Sequence, residues 1–403
     1  MNTQRIPPVW ILGLPWLTFG MVGGFVIVTL PQILAAQAVP GSRMAVAVAI
    51  ILSPMFWNFV LAPFLDVRFR RRTYALVFGA LAVAATALTV VHHRSLAEVE
   101  AVMLVGFLSV CMFQSAIGGW VGGLIEKGQD SRLGAWSTVY NLGGDGIGIL
   151  ISGYAAQHFS PMAAAALIFA TFLAPLLVFP MIPAPPPDKM LANENFVRFA
   201  REVISLFKRR EVLVALPLLT LPSASFALTN ALGGWSGEFH ATLSFVSIVS
   251  GVGLILGSVA GCALVPPIAR KIPLRPLYLS IGLVGAAFTL SLLLLPRAPA
   301  TYGLAFMGEN LLQAAAIATA FAIIFELIDP GNPLAATTFA LLTSAMNFPI
   351  DYMEFVDARG YDWHGITGAF ITDALVSASA CILLAIVLRG RLFFPARPSK
   401  VAA

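Results

Sequence analysis

The stretch APPPDKMLANENFVRFAREVISLFKRRE, residues 184–211, lies in the middle of a chain of 403 residues and differs from nearly everything around it. Ten of its 28 residues are charged, and six of those ten are Lys or Arg. Its apolar side chains recur at helical spacing, at Phe196, Phe199, Val203, Leu206 and Phe207. This pattern is typical of an amphipathic helix on a membrane surface, although a solvated charged linker explains it equally well. Either way, the stretch indicates a cytoplasmic bridge between two apolar halves.

The composition indicates that these halves lie in a membrane. Hydrophobic residues make up 59% of the chain and charged residues only 11%, with a mean hydropathy of +0.88, whereas a soluble domain carries about 25% charged residues. The basic residues lie in short loops, so the formal charge of +5 does not imply a nucleic-acid partner. The three Cys residues fall inside apolar runs without a CxxC pair. We therefore expect neither a metal site nor a cofactor.

Twelve apolar runs are long enough to cross a bilayer, which takes about 20 residues each. The first six cover 8–34, 44–65, 74–91, 100–125, 134–157 and 162–182, and the last six cover 212–232, 241–265, 277–295, 301–327, 333–355 and 368–388. We predict an all-α membrane protein of twelve transmembrane helices, with a six-helix half at 1–183, a cytoplasmic linker at 184–211 and a second six-helix half at 212–403.

The basic residues predict the orientation of the chain. With both termini placed in the cytoplasm, twenty of the 24 Lys and Arg residues lie on the inner side and four on the outer side. This excess is the one that the positive-inside rule expects. It also supports the number of spans, because a missed span would scramble the distribution. We therefore expect a multi-pass protein of the bacterial inner membrane with both termini cytoplasmic.

The turn after the second run, DVRFRRR at residues 66–72, is an Asp followed by an Arg-rich sequence. Together with the 6+6 plan, it resembles the loop signature of the major facilitator superfamily, although two usual glycines and a usual basic residue are replaced. The resemblance implies the major facilitator fold, with two halves that alternate access to a central site. It also implies a cytoplasmic gate formed by Asp66 with Arg70 or Arg71. Plain positive-inside anchoring is the alternative role for these charges.

A narrower resemblance rests on four short motifs: RLG at 132–134, NLGGDG at 141–146, FMGEN at 306–310 and GAFITDA at 368–374. They resemble the muropeptide permeases (AmpG type), a group that is similar to acetyl-CoA transporters and to inner-membrane siderophore permeases. The chain is shorter than typical muropeptide permeases. The resemblance therefore implies the group and leaves the individual member open.

Glycines recur every four residues on the fifth run, at Gly144 and Gly148, and on the eighth run, at Gly253, Gly257 and Gly261. This spacing places small side chains on one helix face, which allows close helix approach. In the superfamily, the fifth and eighth spans touch across the two halves. We therefore expect these glycines to face one another there, with ordinary small-residue packing as the alternative.

Two acids lie deep inside the apolar runs and are candidates for proton coupling. Asp145 is about twelve residues from either end of the fifth run, and no Lys or Arg lies at comparable depth. Burial without a counter-charge favours the neutral acid, which suits a group that binds and releases a proton. Glu309 lies on the tenth run, which lines the central cavity in the superfamily. A structural, hydrogen-bonded carboxyl is the alternative for both acids.

Polar and aromatic residues near those acids are candidates for substrate binding. Asn310 and Gln313 share adjoining parts of one helix face with Glu309, and Gln114 on the fourth run is their counterpart in the first half. Asn230 lies on the seventh run, which two prolines soften. Trp57 is an aromatic residue that lines a cavity in one interpretation and is a packing residue in the other.

These features favour a proton-coupled secondary transporter that moves an organic solute, siderophore-like or muropeptide-like, by alternating access and in the direction of uptake. Its expected partners are the solute, protons and the lipid bilayer, and we expect a monomer. Efflux of drugs or metabolites by proton antiport is the alternative, although the fifth run lacks the Gly-Pro pair that efflux antiporters usually carry. A membrane-embedded enzyme is disfavoured, because the sequence holds no HExxH motif and no nucleophile-and-base set.

Overall fold

The computed structural model describes residues 6–91, 95–126, 128–185, 204–206, 208–328 and 332–390. Across these ranges all regular secondary structure is helical. The chain divides into two compact units. Unit 1 comprises Met1–Gln129, Trp136–Leu206 and Ile328–Ser344, and unit 2 comprises Asp130–Ala135, Phe207–Leu327 and Ala345–Ala403. The predicted amphipathic helix of the linker lies outside the described residues except at 204–206, and the predicted halves stay a prediction.

The described residues of unit 1 contain nine α-helices, short 3-10 and π-helical segments between them, and the beginning of a later helix. These are α1 (Val9–Gly13), α2 (Trp16–Gly24), α3 (Leu30–Ala36), α4 (Gly41–Leu52), α5 (Pro54–Trp57), α6 (Arg71–Val91), α7 (Leu96–Gly122), most of α8 (Asp130–His158) and α9 (Pro161–Leu173). A π-helical turn, Phe25–Thr29, joins α2 to α3, so that the first predicted span is continuous from Val9 to Ala36. The core of the unit contains the fully buried Trp16, Phe113 and Phe172.

Unit 2 contains a further set of helices, the first of which begins at Arg210, at the end of the predicted linker. These are α10 (Arg210–Thr220), α11 (Leu228–Ala231), α12 (Leu243–Ile248), α13 (Leu254–Ala269), α14 (Leu274–Leu292), α15 (Pro299–Glu326) and α16 (Ala335–Val387). Helix α10 ends because Leu221 is extended, with φ −84° and ψ 149°, as a residue before a proline usually is. The seventh predicted span is therefore broken, as its prolines indicated.

The described helices account for the twelve predicted passages. Eight helical segments within the described ranges are long and apolar enough to cross a membrane. One of them, α16, has 53 residues and contains the last two predicted spans. Helix α8 has 29 residues but is more polar, and the remaining two passages, at α4–α5 and α10–α11, are interrupted near prolines. The protein is thus an all-α membrane protein.

Helix α16 is a helical hairpin, because two of its residues leave helical geometry. His364 has φ −151° and ψ 35°, and Gly365 has φ 59° and ψ −151°, a conformation that is open essentially only to glycine. Beyond this kink the two arms touch: a Cβ on Gly368 would overlap the carbonyl oxygen of Gly360, and a Cβ on Gly360 would lie 2.6 Å from Oγ1 of Thr372. The arms therefore run antiparallel in close contact.

The glycines of the fifth and eighth spans pack against partners other than the predicted ones. A Cβ on Gly144 would lie 2.6 Å from the carbonyl oxygen of Leu17, and one on Gly148 would lie 2.6 Å from the Cα of Met21, both in α2. A Cβ on Gly257 would lie 3.2 Å from the carbonyl oxygen of Met307 in α15. The prediction that these glycine faces meet one another is therefore wrong. They allow close approach of helices within each unit.

Candidate functional site

The Asp66 carboxylate lies at the N-terminus of α16, within unit 1. It accepts hydrogen bonds from the backbone amides of Ala336 (3.1 Å) and Thr337 (2.9 Å), and from the Thr337 hydroxyl (2.7 Å). The first amides of a helix have no partner inside the helix, and the positive end of the helix dipole favours an anion there. The carboxylate that follows the second predicted span therefore caps α16, the helix that contains the eleventh predicted span.

Arg71 completes this cap. Its Nε donates to Oδ1 of Asp66 at 2.8 Å, and one terminal nitrogen donates to the carbonyl oxygens of Asn332 (3.1 Å) and Pro333 (3.0 Å). Arg70 is exposed, and its side chain makes no hydrogen bond or ion pair with another described residue. The structure therefore brings Asp66 and Arg71 of the predicted gate together and leaves Arg70 outside it.

A buried amide beside Trp57 was not predicted from the sequence. Asn58 is 4% exposed and donates to the carbonyl oxygen of Pro54 at 2.9 Å, while Ser115 of α7 donates to its Oδ1 at 3.2 Å. Trp57 itself is exposed, and its indole Nε1 donates to the Ser53 hydroxyl at 3.3 Å. Asn58 could have been recognised as a polar residue in a run that is otherwise apolar.

Two of the predicted polar residues of unit 1 lie on α7 and α8. Gln114 is buried on α7. Asp145 is half-buried on α8 and faces α2, where a Cβ on Gly23 would lie 2.7 Å from its Oδ1. Gly20 and Gly24 touch the same turn of α8. Within the described ranges no basic side chain forms an ion pair with Asp145, so its carboxyl lies in a glycine-lined recess without a counter-charge.

Glu309 occupies a comparable position in unit 2. It is 1% exposed on α15, and its Oε1 is hydrogen-bonded to the Thr289 hydroxyl of α14 at 2.6 Å. Its Oε2 has no hydrogen-bond partner among the described residues. The next residue, Asn310, is also buried and donates to the Phe306 carbonyl of its own helix at 2.8 Å. Its Cβ faces Gly257 of α13, so the amide packs between helices.

Gln313 and Asn230 bond to different parts of unit 2. Gln313 donates to the Thr229 hydroxyl at 3.0 Å and to the Phe226 carbonyl at 3.4 Å, both beside the break in the seventh span. Asn230 is exposed and donates to Oε1 of Glu354 at 2.5 Å. Gln313 therefore joins α15 to the broken span, whereas Asn230 joins that span to the first arm of α16.

Two buried acids accompany Glu309, and the sequence interpretation missed one of them, Asp357. Asp357 and Asp373 are 0% and 5% exposed, one on each arm of α16. The electrostatic partners of Asp357 are Asp373, Glu309 and Glu354. Asp357 was missed because the predicted eleventh span ended at residue 355, whereas the helix continues to the kink at His364. Its spacing from the buried Met353 would have placed it on the same helix face.

These acids do not form a metal centre. No group of three His, Cys, Asp or Glu side chains in the described part of the chain is positioned to hold a metal ion.

The sequence profile of the Major Facilitator Superfamily matches residues 17–350. The chain belongs to this superfamily. No curated protein sequence matches it significantly.

Solved structures of the superfamily share its fold. The human organic anion transporter MFSD10 (TETRAN) has a TM-score of 0.69 at 18% identity, covering 94% of this chain and 100% of the other. The proton:xylose symporter XylE has a TM-score of 0.67 at 14% identity, covering 95% and 94%. A bacterial homologue of the iron transporter ferroportin, in its outward-facing state, has a TM-score of 0.63 at 15% identity, covering 95% and 98%.

At these identities the likeness shows the major facilitator fold and no more. This superfamily member is therefore a multi-pass membrane transporter of small molecules. In such a transporter, the candidate functional residues are the buried acids of unit 2, Asp145 in its recess and Asp66 at the cap of α16.

Proposed function

We propose that this transporter is a proton-coupled secondary transporter that takes up an organic solute across the bacterial inner membrane by alternating access. The observation that carries the proposal is Glu309, a 1% exposed acid whose Oε1 is bonded to Thr289 and whose Oε2 has no described partner. A charged carboxylate in such a place costs several kcal/mol, whereas the neutral acid does not. Contact with water on one side of the membrane reverses this preference, so Glu309 binds and releases a proton as access alternates. Asp145 is the second candidate.

The proposed solute has a low net negative charge and is siderophore-like or muropeptide-like. The resemblance of the motifs around Asp145 and Glu309 supports this class, as does the absence of Lys and Arg at similar depth in the sequence. A polyanion would require fixed positive charges. We assign substrate binding to neutral side chains that offer amide or indole groups: Gln114, Asn310, Gln313, Asn230 and Trp57.

We assign gating to Asp66 and Arg71. Their bonds join the second span to the first residues of α16, and breaking them frees a helix N-terminus. A cap that forms in one state of access and breaks in the other would contribute to the difference in free energy between the two states.

The function is tested by uptake into proteoliposomes, with a radiolabelled siderophore and a radiolabelled muropeptide as the two probes. We expect an inward proton gradient to drive accumulation of one of them in the wild type. Glu309→Gln mimics the protonated acid, so this variant should exchange the solute down its own gradient but fail to concentrate it. Asp145→Asn is tested in the same way.

Asp362→Asn is the matched control, because Asp362 is an exposed acid on α16 and its variant should retain accumulation. Gradient-driven accumulation that survives in both single variants and in the double variant would contradict proton coupling through these acids. Solute accumulation that requires an outward-directed proton gradient would indicate proton antiport and would favour efflux.

A further inference from the structure

We propose that Glu309, Asp357 and Asp373 form one proton-binding site, shared by three acids, inside unit 2. This site rests on the proposed function, because it would bind and release the protons that drive solute uptake. It adds Asp357 and Asp373, which lie on the two arms of α16, to a role that the sequence analysis assigned to Glu309 in this unit and to Asp145 in the other.

The three acids lie at one depth of the helix bundle. Each lies seven to ten residues from the helix end nearest to it: Glu309 from Pro299, Asp357 from His364 and Asp373 from Gly365. At 1.5 Å per residue, these separations are roughly 10–15 Å. The ends themselves lie together, because Arg297, just before α15, donates to Oγ1 of Thr367, just after the kink, at 3.0 Å.

The contact between the arms of α16 brings the two aspartates towards each other. Gly360 touches Gly368 and Thr372. Asp357 lies three residues before Gly360 on the first arm, and Asp373 directly follows Thr372 on the second. An aromatic core that includes Tyr302, Phe306 and Phe370 fills the space towards the kink. The acids are buried, and Glu309 and Asp373 each follow a residue of this apolar core, Phe306 and Phe370, by three positions.

Four carboxyl oxygens of this cluster lack partners among the described residues. Both oxygens of Asp357, Oδ1 of Asp373 and Oε2 of Glu309 have no hydrogen-bond partner among the described residues. Buried polar atoms of proteins are almost always hydrogen-bonded, and each exception calls for an explanation. Four unpartnered acceptor oxygens on three neighbouring acids point to a ligand that each acid binds separately.

That ligand is the proton, because the charged groups around the cluster are acidic. Asp357 interacts electrostatically with Asp373, Glu309 and Glu354, and Glu354 is bonded to the neutral Asn230. The basic group towards the kink, Arg297, is half exposed and is paired with Glu238 at 2.7 Å. Neighbouring carboxylates that lack a counter-charge cannot all remain ionised in an apolar enclosure.

The hydroxyl of Thr289 supports a neutral Glu309. Its oxygen lies 2.6 Å from Oε1 of Glu309 and 3.1 Å from the carbonyl oxygen of Gly285. A single hydroxyl proton cannot form a good hydrogen bond to both. With a proton on Oε1, the acid donates to the Thr289 oxygen and the hydroxyl donates to Gly285, so both contacts are satisfied.

The proton exchange involves O–H bonds alone. In the enclosed state each neutral acid keeps its proton. When the cluster opens to water, an acid gives its proton to a water molecule and becomes a carboxylate, and a proton from the other side of the membrane later restores the neutral acid.

Infrared spectroscopy of the purified, substrate-free transporter tests the site, because protonated carboxyl groups absorb separately from carboxylates and shift in D2O. We expect a protonated-carboxyl band at neutral pH that loses one component each in Glu309→Gln, Asp357→Asn and Asp373→Asn. The exposed Asp362→Asn should leave the band unchanged. If Asp357→Asn does not fold, Asp357→Glu should shift its component without removing it.

A band that is unchanged in all three variants would overturn the proposal. So would a band that appears only when Na⁺ is removed, because a cation would then occupy the acids. The spectrum needs no solute, so the two proposals can fail separately. Absence of the protonated-carboxyl band from the wild type, with intact gradient-driven uptake, overturns the proton site alone, and a wild-type band without such uptake overturns the proposed function alone.

Discussion

At the scale of the residue, the two neighbouring arginines after Asp66 show that the position of a side chain determines whether it bonds to this carboxylate. Arg71 bonds to Asp66 and to two backbone carbonyls, whereas the Arg70 side chain bonds to no other described residue. The loop motif predicted that one of them would pair with Asp66. Residue type alone was unable to distinguish them, because both are Arg and adjacent.

We expect Arg71→Ala to lower the midpoint of thermal unfolding, with a loss of about 2–3 kcal/mol, because it leaves the buried Asp66 without its counter-charge. Arg70→Ala is the matched control and should leave the midpoint unchanged. The measurement is thermal unfolding of the two purified variants in detergent. Equal midpoints for both variants would show that the ion pair adds nothing to the stability of the cap.

The acids show what the sequence could and could not reveal at this scale. Asp145 and Glu309 were predicted because each interrupts a long apolar run. Asp357 lies among the charged residues Glu354, Arg359 and Asp362, so its surroundings resembled a loop. Its burial depends on the second arm of α16 folding back against the first, a tertiary contact that hydropathy does not contain.

At the scale of the element, glycine spacing predicted smooth helix faces correctly but not what they contact. A four-residue repeat places glycines on one face, and any helix with a suitable backbone fits there. The structure pairs α8 with α2 and α13 with α15. The partner is chosen by the whole arrangement of helices, so spacing on one helix cannot identify it.

We expect Gly148→Ala to destabilise the transporter by about 1–3 kcal/mol, because the added methyl group meets the backbone of Met21, which cannot move aside easily. Gly153→Ala lies on the same helix, where no atom is within 4 Å of the added Cβ. It should be neutral or stabilising, since alanine favours the helix. Thermal unfolding of both variants compares them, and equal destabilisation would contradict the close packing of α8 on α2.

At the scale of the whole molecule, the membrane class and the fold were predictable because they depend on long apolar runs and on the distribution of basic residues. Lipid offers no hydrogen-bond partners, so each run has to pair its own backbone N–H and C=O groups, and it does so as a helix. The orientation stays a prediction. Labelling of introduced cysteines can test the orientation without removal of the native thiols, because Cys111, Cys262 and Cys381 are all at most 2% exposed.

We expect Trp363→Cys, at a site that is 73% exposed, to react with a membrane-impermeant maleimide in intact cells. Lys208→Cys, within the linker, should react only once the membrane is permeabilised, because the positive-inside rule places it in the cytoplasm. The wild type, with buried thiols, is the control for background labelling. Labelling at Lys208→Cys from outside would reverse the predicted orientation.

The two-residue hinge of α16 also bears on how the protein is made. An Asp near the middle of a single helix costs about 3 kcal/mol when that helix enters the bilayer on its own. Asp357 and Asp373 lie on facing arms joined only by His364 and Gly365, so the arms can leave the translocon as a paired hairpin. In that order of synthesis and insertion, each acid enters the lipid already shielded by the opposite arm, and neither arm has to integrate alone.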